Sequence, residues 1–277
     1  MTLAHERRGG GEPLVLVHGI GSQWQMWAPV LDAVAATRDV VAVDLPGFGD
    51  SPPLPGRPTP EALAGAVAEL LDALGLETAH VAGNSLGGGV ALELGRTGRA
   101  RSVTCLSPVG FWIPREQTYS NGVLRASAHA ARALAPVAPA VLGTPVGQTL
   151  GFWHLVSRPW RMRPAEAVGA LRNLAGSPGF EATLDAMQGW RLRDGDAIAC
   201  PVTIAWAQWD MVLIPRQADR ARRALPRARH GVLAGCGHVP TWDDPAQVAR
   251  VLREGSGAAG RVAARVGATP PASENRD

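Results

Sequence analysis

The chain has 277 residues, 46% hydrophobic and 18% charged, a composition that builds a globular body and excludes a disordered one. Its 27 basic residues exceed the 24 acidic by three, and all of them are arginine, which excludes lysine-dependent Schiff-base and P-loop chemistry. No apolar run reaches the roughly 18 to 20 residues that cross a bilayer. The charged start, residues 1–8, also lacks the apolar stretch of a signal peptide. A cytoplasmic protein with no membrane partner is expected.

In chain order, short β-branched runs at residues 14–17, 40–43 and 79–82 predict strands, nearly continuous in apolar character as befits strands covered on both faces. A helix is expected from Pro60 to Leu74, because Thr59 can cap it, Pro60 suits its first turn and Gly75 follows its end. Further strands are expected at 102–106, 202–206 and 230–233. The alternation of these runs with Ala/Leu-rich segments predicts βαβ units, an α/β fold with a mostly parallel central sheet flanked by helices.

The alternation lapses between residues 110 and 196, where four of the nine tryptophans fall and the periodicity is helical. Some 85 residues without a strand are long for a connection, so an inserted helical cap is expected. The resulting division is core at 1–109, cap at 110–196, core at 197–254 and a flexible tail at 255–277. The densest group of arginines, at 216–229, is expected on an amphipathic surface helix. The other arginines are scattered, so no nucleic-acid partner is expected.

Cys105, Cys200 and Cys236 are far apart and form no disulfide framework, which fits a reducing compartment. The seven histidines show no metal-ligand spacing. Neither a metal nor a cofactor is expected, and nothing in the sequence sets an oligomeric state.

The segment Gly83-Asn84-Ser85-Leu86-Gly87 carries the strongest chemical signal. It is G-x-S-x-G directly after a predicted strand and before a helix-like stretch, the context that gives the pattern its meaning. Such a turn projects the serine oxygen from the sheet, and the glycines remove Cβ atoms that would meet the neighbouring backbone. A serine needs a base, and the base needs an orienting acid. Asp210, after the strand at 202–206, and His238, after the last strand, supply them in the chain order Ser, Asp, His. Asp243 and Asp244 follow His238 too closely for that duty and are expected to cap a helix beginning near Pro245. His18-Gly19-Ile20-Gly21, at the end of the first clear strand, offers a backbone donor for an oxyanion. The expected pair is the N–H of Ile20 and that of Leu86, with His18 supporting the loop.

Together with Asp44-Leu45-Pro46-Gly47-Phe48-Gly49-Asp50-Ser51, Trp209-Asp210 and Gly237-His238, these segments make the sequence resemble a capped α/β-hydrolase from about residue 13 to 253. The resemblance implies a helical cap inserted after the strand ending near Ser107, and a loop at 44–51 close to the site with a structural aspartate. Residues 3–8 leave room for one of the family's two usual leading strands, so the sheet is expected to be one strand short. Members that open epoxides or displace halides place aspartate where Ser85 stands.

The expected activity is therefore that of a serine hydrolase of carboxylic-ester-hydrolase type, acting on a small hydrophobic ester, thioester or lactone. Trp24, Trp27, Phe111, Trp112, Phe152, Trp153 and Val239 are candidates for lining its pocket, and the aromatics among them could equally pack the cap against the core. Two alternatives stand beside this reading. One is hydrolysis of a carbon–carbon bond in a ring-cleavage dienoate, for which Arg158, Arg161 or Arg163 would bind the carboxylate. The other is a non-catalytic homologue that binds a ligand.

Overall fold

The computed structural model describes residues 2–257. Seven strands form one sheet: β1 (His5–Gly9), β2 (Pro13–Val17), β3 (Asp39–Val43), β4 (Ala79–Asn84), β5 (Ala100–Leu106), β6 (Val202–Ala207) and β7 (Arg229–Leu233). Their order is β1-β3-β2-β4-β5-β6-β7. Only β1 runs antiparallel, against β3, and the other five pairings are parallel. The single leading strand expected from residues 3–8 is β1.

Side chains alternate across this sheet with the period of two that a pleated strand imposes. In β2, Val15 and Val17 enter one core while Leu14 and Leu16 enter the other. The first core is closed by α2 (Pro60–Ala73), α3 (Leu86–Arg96) and α9 (Arg216–Ala224), and the second by α1 (Ala28–Ala35) and α10 (Pro245–Gly255). On α2, Leu63, Val67, Leu70 and Leu71 recur at helical spacing and are all at most 2% exposed. Burying each stabilises by about 1.5 to 3 kcal/mol. The helix begins where Thr59 Oγ1 accepts from Ala62 N at 3.3 Å. It ends where Leu76 N reaches back to Leu71 O at 2.8 Å across Gly75, satisfying an otherwise orphaned carbonyl.

Between β5 and β6 the described chain contains helices and no strand: α4 (Pro114–Leu134), α5 (Ala138–Leu142), α6 (Pro145–Phe152), α7 (Pro164–Gly176) and α8 (Phe180–Ala186). This insertion has its own apolar cluster around Ala131, Leu142, Phe152 and Leu171. It is tied to the sheet body where Gly179 N donates to Gly47 O at 2.8 Å and where Trp190 Nε1 donates to Glu61 Oε1 at 2.7 Å.

The arginine-rich helix is α9, whose buried positions are Gln217 and Ala221. Arg220 departs from a solvated face, since its guanidinium bonds the Phe111 carbonyl and the Glu116 carboxylate. At the far end of α10, Arg38 lies buried and bonds both the hydroxyl and the carbonyl of Ser256. The expected flexible tail lies outside the described residues from 258 onward. Among the described residues no helix is long and apolar enough to cross a membrane.

Candidate active site

Parallel strands deliver the loops at their C-terminal ends to one edge of the sheet. The loops after β2, β4, β6 and β7 carry His18 to Gly21, Ser85, Asp210 and His238 respectively. Register sets the neighbours, because Val17 pairs with Gly83 and so puts the Gly19 loop beside the Ser85 turn.

Ser85 sits between β4 and α3 at φ 57° and ψ −116°, backbone that non-glycine residues adopt only under constraint. The constraint is visible in its hydrogen bonds. Ser85 N donates to Leu106 O at 3.0 Å, and Ser85 O accepts from the N–H groups of Gly88, Gly89 and Val109 at 3.0 to 3.2 Å. A Cβ at Gly83 would sit 2.1 Å from Gly87 O, and one at Gly87 would sit 2.1 Å from Val17 O. Both clashes are with backbone of the sheet or the elbow, so neither position accepts a side chain. Leu86 opens α3, and its N–H has no intrahelical carbonyl to bond.

His238 and Asp210 are buried at 4% and 3% exposure. His238 Nδ1 donates to Asp210 Oδ2 at 2.8 Å, and Asp210 Oδ1 accepts from Val212 N and Leu213 N at 2.9 and 2.7 Å. The carboxylate is thus held by its own loop and fixes the imidazole in the tautomer that leaves Nε2 free to accept. Ser85 and His238 line one cavity of about 60 Å³, together with Gly19, Ile20, Gly21 and Val239.

The His238 loop is held from two sides. On one, the Asn84 side-chain amide donates to both Leu106 O and His238 O at 3.0 Å. On the other, Val239 N donates to Leu155 O of the insertion at 2.8 Å. Asp244 caps α10 as expected, accepting from Gln247 N, but Asp243 does not. Its carboxylate accepts three backbone N–H groups, Gly237 at 2.7 Å, Arg158 at 2.8 Å and Ser157 at 3.0 Å. A cap bonds only its own helix, whereas this side chain points away from α10 and stitches the histidine loop to the insertion. Burial raises its pKa, opposed by those three donors.

His18 is fully buried. Nδ1–H donates to Gly19 O at 2.7 Å and Nε2 accepts from Leu45 N at 2.9 Å, so both nitrogens are occupied and neither is available to a substrate. Burial lowers its pKa to about 4. Asp44 accepts from Trp24 N at 2.7 Å and Asp50 N at 3.1 Å, shaping the 44–51 loop. Cys236, two residues before His238, is no competing nucleophile, because burial pushes its thiol up to about 12.

The pocket candidates separate. Val239 lines the cavity beside Ser85, while Trp24, Phe111, Trp112 and Trp153 do not. Phe111 packs edge-on to Trp206 at 6.4 Å, Trp112 is buried with its Nε1–H on Trp190 O, and Trp24 packs against the α1/α10 core. Trp153 is 55% exposed and lines a neighbouring cavity. Phe152, also a candidate, lines the cavity, and the other walls come from Met26, Leu124, Ser127, Leu174 and Trp242 among others. Of these, Trp242 alone sits near a recognisable motif. The rest lie on helix faces whose docking no local signal reveals. Arg158, Arg161 and Arg163 do not line this cavity. Among the described residues no three His, Cys, Asp or Glu side chains group as a metal ion would need.

A family model described as the alpha/beta hydrolase fold matches residues 12–245, and the chain belongs to that family. It is 32% identical over 195 residues to an epoxide hydrolase, EphH, of Mycobacterium tuberculosis, covering 69% of this chain and 91% of the relative. It is also 41% identical over 140 residues to the dihydrolipoyllysine-residue acetyltransferase component of the acetoin cleaving system of Cupriavidus necator. That match covers 50% of this chain and only 37% of the longer relative. A solved esterase from Thermogutta terrifontis superposes with a TM-score of 0.71 at 25% identity, covering 91% of this chain and 92% of that one.

Proposed function

We propose that this member of the alpha/beta hydrolase family is a serine hydrolase that cleaves a small hydrophobic ester, thioester or lactone. The observation that carries the reading is the His238 Nδ1–H bond to Asp210 at 2.8 Å, which leaves Nε2 free to accept a proton on a residue that lines the same cavity as Ser85. Ser85 Oγ attacks the carbonyl carbon while its proton passes to His238 Nε2. Asp210 stabilises the imidazolium. The oxyanion is held by the N–H groups of Ile20 and Leu86. His238 returns the proton to the departing alcohol or thiol. Water, deprotonated by the same imidazole, then attacks the acyl-enzyme, and His238 returns that proton to Ser85 Oγ as the acid leaves.

An epoxide is a poor fit despite the relative named for it. Serine attack on an epoxide carbon forms an ether, which water cannot hydrolyse, whereas attack by a carboxylate forms an ester, which it can. An uncharged substrate is favoured because His238 is the only ionisable side chain that lines the cavity among the described residues; a carboxylate-bearing dienoate would find no arginine there.

The test is intact-protein mass after exposure to a fluorophosphonate, alongside hydrolysis of a short-chain p-nitrophenyl ester. One adduct on the wild type, absent from Ser85→Ala and from His238→Ala, is the expected result. Folded wild-type protein that takes no adduct and turns over no ester overturns the proposal.

A further inference from the structure

The cavity at Ser85 is too small for a whole ester of any length. At about 60 Å³ it has room for four or so water-sized groups, at roughly 10–15 Å³ each. A second cavity of about 350 Å³ adjoins it within the insertion, lined by Tyr119, Val123, Leu150 and Trp153 among others. The two share Ser127, Phe152, Leu155 and Leu174 as a common wall. Three of these are apolar, so any directional preference at the junction must come from Ser127.

The hydrogen bonds at Ser127 fix what it can offer. Its hydroxyl donates to Val123 O at 2.8 Å. Assigning the hydroxyl hydrogen to Val123 O makes the imidazole N–H the donor and Ser127 Oγ the acceptor in its contact with His154 Nε2 at 2.7 Å. A hydroxyl oxygen has two acceptor sites, so one remains on Ser127. The His154 tautomer leaves its own Nδ1 as an acceptor, and His154 lines the second cavity. Burial, the larger cause, and nearby His238 lower the pKa of His154. The pair therefore presents acceptors and no free donor.

We propose that the substrate spans both cavities, with its reacting carbonyl and a short group at Ser85 and a longer apolar arm in the insertion. That arm carries a hydrogen-bond donor, a hydroxyl or an amide N–H, which meets Ser127 and His154 at the junction. The assignment of a reacting carbonyl rests on the serine-hydrolase reading. The two-cavity site and its donor preference are tested without turnover.

The experiment measures binding to the Ser85→Ala protein of methyl alkanoates with a hydroxyl at successive chain positions, each against its deoxy parent, by calorimetry. One position is expected to bind roughly 3- to 10-fold tighter than its parent, the effect of one neutral hydrogen bond. The preference is expected to vanish in Ser85→Ala/Ser127→Ala and to return in Ser85→Ala/Ser127→Thr, which restores the hydroxyl and shows that the helix tolerates change there. Equal binding at every position, no binding of either ester, or a preference that survives Ser127→Ala overturns the inference. Wild-type labelling by fluorophosphonate reads the hydrolase proposal separately. A hydroxyl preference without labelling removes the chemistry and keeps the site, and labelling without a preference does the reverse.

Discussion

Replacing Asn84 by alanine removes one amide that bonds the end of β5 and the histidine loop at once. Leu106 O loses the Asn84 bond but keeps Ser85 N at 3.0 Å. His238 O accepts from Asn84 Nδ2 at 3.0 Å and is left orphaned in a place where Asn84 is 1% and His238 4% exposed. The net worth of the lost bond is about 1 kcal/mol and an orphaned buried carbonyl costs about 1–3 kcal/mol. The orphaning penalty already contains the lost bond, so a destabilisation of about 1–3 kcal/mol is expected, read as a lower urea midpoint with unchanged slope. The histidine loop loses its hold on the elbow, so ester hydrolysis should fall in kcat by roughly 10- to 100-fold with KM little changed, the cost of a small misplacement of a reacting group. Asn84→Asp keeps the shape but turns the donor into an acceptor facing two carbonyls, and should be at least as damaging. Wild-type stability and rate in either variant would refute the idea that this amide positions His238.

Other outcomes are expected from the same geometry. Asp210→Asn should cut hydrolysis by roughly 10²- to 10⁴-fold. Val212 N and Leu213 N will keep the amide oxygen, so the NH₂ faces His238 Nδ1 and forces the wrong tautomer. Asp243→Asn should cost about 1–3 kcal/mol of stability with a much smaller rate effect, and the reverse ranking of the two variants would move the acid to Asp243. Stability should depend on pH through His18, which takes a proton near 6.5 when unfolded but only near 4 when folded. Between those values the unfolded chain binds more protons, so this contribution is complete above about pH 6.5 and is lost as pH falls toward 4. At 1.36 kcal/mol per pH unit the loss totals about 3 kcal/mol, and urea midpoints that stay flat between about pH 7.5 and 4.5 would contradict it. Gly87→Ala should abolish fluorophosphonate labelling, since its Cβ would lie 2.1 Å from Val17 O; full labelling would mean the elbow relaxes.

The strands, and the candidate residues that the strand ends carry to one edge of the sheet, were legible because their signals are local. Residues 14–17 and 40–43 are continuous apolar runs, the G-x-S-x-G turn directly follows the strand at 79–82, and a parallel sheet necessarily brings its strand ends to one edge. What lay beyond the sequence depends on how separate elements dock. Nothing near Leu124, Ser127 or Leu174 announces a cavity wall, since each is an ordinary position on a helix face until α4 and α7 settle over the sheet. Phe111 and Trp112 read as pocket aromatics because they follow a strand at the site edge, but they turn inward, where Trp206 and Trp190 supply partners. Asp243 looked like a cap because it precedes Pro245. Its three donors come from residues up to 86 positions away, a distance that no local pattern spans.

The Asp243 carboxylate also sets how the cavity can be entered. It receives amides from the insertion at Ser157 and Arg158 and from the histidine loop at Gly237, so those two segments move as one piece. Lifting residues 155–158 away to admit a ligand would drag Gly237, and His238 beside it, out of reach of Ser85.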